Sequence, residues 1–214
     1  MAEARKKKEP VRQAWVIVHP WFNLKNIEGR IERLRLAGQK EDKSDVAFRE
    51  LHSVYTSRLH NLIARATHPI LILEEEKTAQ ETLQWAKRIN PKADIEVIPT
   101  WKQVGVPKNP QELRDYFARR GIQRAVLGGA NAKFREEDPR TAKTPLIKSG
   151  GKFYGRELLE EQCVGVARQA IQKLTGAETR VVRSLTFPHN LNPRTMHPAR
   201  GQRVGAKKRM PPHA

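Results

Sequence analysis

An α/β fold with a three-layer, doubly wound, mostly parallel sheet of about five strands is what this sequence predicts. Three observations lead there. Short β-branched runs alternate with helical patterns from Ala14 to Leu185. One run, Ile70-Leu71-Ile72-Leu73, is apolar throughout, as in a strand covered on both faces. Helix-start and helix-stop residues stand between the runs, so crossover helices can join parallel strands.

The first strand is Ala14-Trp15-Val16-Ile17-Val18, ended by His19-Pro20. Between Lys25 and Lys43 the recurrence of Ile27, Ile31 and Leu34 predicts a short helix. Ser44-Asp45 offers an N-cap to a longer one, on which Phe48, Leu51, Tyr55, Leu59 and Leu62 share a face. Pro69 introduces the second strand, Ile70 to Leu73, and Thr78 with Glu81 predicts a capping box for the helix ending near Asn90-Pro91. Ile95 to Ile98 is the third strand. Asn109-Pro110-Gln111-Glu112 combines an N-cap, a proline at the first helical position and an early carboxylate. That helix stops at Gly121, and Arg124 to Leu127 enters Gly128-Gly129 as the fourth strand. Residues 130–155 break the rhythm and read as a long insertion or lid. A last helix carries Leu159, Cys163, Val166, Ala167, Ala170 and Leu174 on one stripe; Gly176 caps it, and Thr179 to Leu185 is the fifth strand.

With 214 residues the chain fits one domain with extensions: a basic N-terminal segment 1–12, an α/β Rossmann-like domain 13–185, and an extended or disordered basic tail 186–214. Lys and Arg number 41 against 23 Asp and Glu, a formal charge of +18. Residues 1–12 contribute +3 and residues 184–214, which contain no carboxylate, contribute +6, so the ends hold half the excess. No apolar run reaches the roughly 18–20 residues of a membrane span, and Ala14 to Val18 is too short for a signal-peptide core. The single cysteine excludes an internal disulfide framework and a cysteine-built zinc site; a cytoplasmic address is the default expectation.

In a doubly wound sheet, ligands gather outside the C-terminal ends of the strands. That places His19, Glu74 to Glu76, Thr100 to Lys102, Gly128 to Asn131 and Ser184 to Thr186 at the mouth. His19-Pro20-Trp21-Phe22-Asn23 follows the first strand and Lys102 the third. Gly121 to Gly129 forms a strand ending in glycine, and Cys163-Val164 precedes Ala167 and Ala170. In this order of elements, residues 13–185 resemble the isochorismatase-like cysteine hydrolases. The resemblance implies Cys163 as a thiolate nucleophile toward an amide-like carbon and Lys102 as its activator. His19 stands where the family has its catalytic acid and would accept the proton. Residues 130–162 separate Gly129 from Cys163, a longer stretch than the family's.

Each of these residues has a plainer alternative. Cys163 lies on an apolar stripe, where packing is the ordinary role; a nucleophile requires the helix to begin near Gln162. His19-Pro20 is an ordinary strand end, and Lys102 an ordinary solvated lysine. Glu74-Glu75-Glu76 could bind a ribose hydroxyl or a cation, but suits the N-terminus of the following helix. Gly128-Gly129-Ala130-Asn131 lacks the patterns of known phosphate loops and reads as a tight turn. His52 and His60 are two turns apart, too far for a helical metal pair, and neither metal nor cofactor is expected.

The charge points to partners. Lys143, Lys148, Lys152 and Arg156 are interleaved with Phe153 and Tyr154, a mixture suited to phosphates and unpaired bases. Arg194, Arg200, Arg203, Lys207, Lys208 and Arg209 give the tail a likeness to the extensions by which ribosomal proteins thread into RNA. The first expectation is therefore an RNA- or ribonucleoprotein-associated protein on an isochorismatase-like scaffold with a degenerate site. The competing ones are a working cysteine hydrolase and a structural subunit binding an acidic protein. A homo-oligomer stays open, and no membrane partner is expected.

Overall fold

In a computed structural model of the chain, the described residues are 11–20, 28–29, 32–38, 43–101, 105–136, 138, 140–141, 147–149, 152–159 and 162–188. They form a doubly wound α/β fold. Strands are β1 (Gln13–Val18), β2 (Ile70–Glu75), β3 (Ile95–Thr100), β4 (Arg124–Glu136), β5 (Ile147–Ser149), β6 (Lys152–Leu159) and β7 (Glu178–Pro188). Helices are α1 (Lys43–Ala64), α2 (Glu76–Ile89), α3 (Pro110–Arg120) and α4 (Cys163–Thr175); residues 28–29 and 32–36 are also helical.

All five strands expected from the sequence are present and mutually parallel, in the spatial order β3-β2-β1-β4-β7. After β3 the chain crosses to the far side of β1, so the strand order reverses between β1 and β4. That reversal opens a crevice at their C-terminal ends.

Alternation along the strands supplies two faces. Val16, Val18, Leu71, Leu73, Ile98 and Leu127 pack against Leu113, Tyr116 and Phe117 of α3 and Val164, Ala167 and Ile171 of α4. Ile17, Ile70, Ile72 and Ile95 pack against Tyr55, Leu59 and Ile63 of α1 and Ala86 of α2. The three layers thus hold two cores. Burying each large aliphatic side chain stabilises by about 1.5–3 kcal/mol, which is why β2, buried along its whole length, is apolar from Ile70 to Leu73. Pro99 is tolerated because β3 lies at the edge of the sheet.

Several local signals act as expected. The Asn109 side chain accepts from the Gln111 amide at 3.0 Å, and Gly121 and Gly176 end their helices in the left-handed region. Others do not. The cap of α2 is Glu75, and Thr78, inside the first turn, donates to the Glu75 carbonyl at 3.2 Å, so Thr78 and Glu81 do not form a capping box. Helix α1 already includes Lys43, which puts Ser44-Asp45 inside it. Leu159 belongs to β6, not to the last helix.

The largest difference concerns residues 128–155. Gly128-Gly129 is not a turn: β4 runs through it to Glu136. A Cβ on Gly128 would lie 2.6 Å from the Leu185 carbonyl oxygen, and one on Gly129 (φ 130°) 2.2 Å from that of Val18. The glycines let β1 and β7 close on β4 from both sides. Beyond them β4 pairs antiparallel with β6, and β6 with β5, giving a seven-stranded sheet. The supposed lid is in part a hairpin extension of the sheet.

Candidate functional site at the rim of the sheet

At the rim formed by the C-terminal strand ends, His19, Glu74, Glu75, Thr100 and Thr186 are polar and buried. His19 is fully buried, and its amide extends the β1–β2 ladder by donating to the Leu73 carbonyl at 2.7 Å. Its φ of 48° makes it the only non-glycine residue with positive φ among the described residues. A residue before proline ordinarily stays extended, so this conformation is strained and is held by its surroundings. The imidazole reaches across the end of β2, where Nε2 lies 3.0 Å from Oγ1 of the buried Thr100. Burial lowers the His19 pKa to about 4, which leaves the ring neutral at pH 7.

The acidic run divides by position. Glu74 is fully buried: Oε1 accepts from the Glu75 amide at 2.9 Å and Oε2 from the Thr82 hydroxyl at 3.2 Å. Thr82 lies on α2, so this carboxylate turns toward the layer that contains Tyr55. Burial, and then the Glu74 charge, pushes the Tyr55 hydroxyl pKa upward. Glu75 is also buried and sits in register with Thr100. Only Glu76 plays the expected part, as the acid in the first turn of α2, paired with Lys108. Helix-dipole reasoning missed the burial of the first two.

Cys163 is the first residue of α4, after the N-cap Gln162, whose side chain makes no capping bond. The helix therefore starts where a nucleophilic thiol requires it. Cys163 is 3% exposed and also belongs to the α3/α4 core. The helix end favours a thiolate while apolar burial opposes it. A Cβ on Gly105 would meet the Cys163 carbonyl oxygen at 2.4 Å and Cγ1 of Val18 at 3.3 Å. The segment after β3 thus lies against both the end of β1 and the start of α4. The structure brings the neighbourhoods of His19 and Cys163 together; Lys102 lies outside the described residues.

Of the expected nucleic-acid contacts, Lys148 lies on β5 and Lys152, Phe153 and Tyr154 on β6. Register pairs Lys148 with Phe153 and Tyr154 with both Ile147 and Glu136. Lys143, Arg194, Arg200, Arg203, Lys207, Lys208 and Arg209 lie outside the described residues, as do residues 1–10 and 189–214.

Sequence reasoning placed Thr100 and Trp101 at the mouth, without the histidine partner of the first or a role for the second, and it passed over Thr82 and Lys108. No local pattern signals Thr82. Trp101 was visible as a large aromatic directly after a strand end. A separate cavity of about 330 Å³ is lined by Glu96, Glu112, Asp115, Ala118 and Arg119, around α3 and the side of β3, away from this rim. No cluster of three or more His, Cys, Asp or Glu able to hold a metal occurs among the described residues. No helix among them is long and apolar enough to cross a membrane. Compared with protein-family models, with curated proteins and with solved structures, the chain matches none.

Proposed function

We propose that the protein binds RNA or a ribonucleoprotein through its basic ends and the hairpin extension, on a scaffold resembling the isochorismatase-like hydrolases. The observation that carries this reading is the extension of β4 by β6 and β5. It makes an irregular-looking insertion into a ribbon in which Lys148 is in register with Phe153 and β6 carries Lys152, Phe153, Tyr154 and Arg156, a composition suited to phosphates and unpaired bases. The +18 charge supplies the sequence-independent attraction. The test is binding of a labelled single-stranded RNA by the full chain and by a Lys148→Ala, Lys152→Ala, Tyr154→Ala variant. Binding should weaken about tenfold or more, with a shallower salt dependence. Equal binding would remove the extension from the interface.

A second reading, a cysteine hydrolase acting on a small amide-like substrate, is favoured by one observation: α4 begins at Cys163. Cys163 would attack the carbonyl-like carbon, Lys102 would stabilise the thiolate, and neutral His19 would accept a proton. Iodoacetamide should then modify the native protein well below pH 8, and Cys163→Ser should abolish any turnover. A thiol that reacts only after unfolding would sink this reading.

A further inference from the structure

Trp101 is a large hydrophobic side chain left 56% exposed, and it directly follows β3. Its position is fixed. The Trp101 amide donates to the Val106 carbonyl at 3.0 Å, and the Lys108 amide donates to the Pro99 carbonyl at 2.9 Å. A further bridge joins Thr100 to Pro107. Lys108 Nζ stands 5.3 Å from the indole centroid while also pairing with Glu76. Residues 99–101 and 106–108 therefore pair with each other and hold an indole and an ammonium group together at the rim, whereas Trp15 and Trp85 are only partly exposed. Three strand spacings, roughly 14 Å, separate β3 from β4, whose extension leaves the same rim.

Resting on the RNA reading above, we infer that Trp101 is a stacking platform for an unpaired base of RNA, one indole face being held by Lys108, which Glu76 pairs, and the other offered to the base. An aromatic face accepts any base without sequence preference. The nucleic acid then crosses the rim from the hairpin extension on one side to Trp101 on the other.

The probe is a fluorescently labelled oligouridylate, titrated against full-length wild type, Trp101→Ala and Trp101→Phe at several salt concentrations. Trp101→Ala should weaken binding at least about fivefold, the lower end for one stacked base, while the slope against salt stays unchanged. Trp101→Phe should bind close to wild type. Oligouridylate should quench wild-type tryptophan emission more than that of Trp101→Phe, a readout that survives if the alanine variant fails to fold. A wild type that binds oligouridylate without quenching Trp101, or a folded Trp101→Ala that binds equally well, overturns the platform and leaves RNA binding standing. Equal weakening toward polyglutamate would mark a surface for acidic protein and also overturn it. A wild type that binds no RNA at any salt concentration defeats the RNA reading itself, and the platform with it.

Discussion

His19 shows how much one residue at this rim is constrained. It combines complete burial, a positive φ before proline and a hydrogen bond across the end of β2. Burial holds its pKa near 4 against 6.5 in an open chain, and His52 is lowered to about 4 for the same reason. Both folded-state values lie below the unfolded value, so unfolding takes up protons between pH 6.5 and 4. The stability that comes from keeping each ring neutral is present above pH 6.5 and is lost as pH falls toward 4. Each should contribute about 2 kcal/mol of lost stability between pH 7 and pH 5. Urea unfolding at the two pH values measures the loss, and His19→Gln should remove about half of it. An unchanged slope would contradict the burial. The sequence showed a histidine at the end of a strand, but not the ring's reach to Thr100, because 81 residues separate the partners.

At the scale of elements, what was legible follows from local chemistry. Asn109-Pro110 and the two capping glycines act through groups only a few residues away, and the all-apolar run at β2 needs only burial to explain it. What was not legible depends on distant chain. Gly128-Gly129 looks like a turn until β1 and β7 are seen closing on it, and Glu74-Glu75-Glu76 looks solvated until Thr82 and the rim enclose its first members. Gly129→Ala tests the former directly, because its Cβ would collide with rigid backbone rather than a movable side chain. The substitution should destabilise by about 3 kcal/mol or more, read from the urea midpoint, whereas Gly176→Ala, which has open space, should cost only about 1 kcal/mol. Equal losses would mean that the close approach of β1 to β4 is not tight. The start of α4 at Cys163 was legible only as a condition, and the structure satisfies it.

For the whole molecule, the two cores account for the fold, and the proposed RNA binding rests on the charge. The cores lie within residues 14–185, so removing the ends takes away half of the +18 without touching either apolar face. Charge on a surface steers association and leaves packing unaltered. The most direct measurement of the central claim is RNA affinity as a function of salt for the full chain and for a chain ending at residue 188, which keeps the whole of β7. The full chain should bind with a steep fall as salt rises, and the shortened one should fold yet bind at least about a hundredfold more weakly, with a shallower slope. Equal affinity of the two chains at every salt concentration would contradict the claim that the basic tail carries RNA binding.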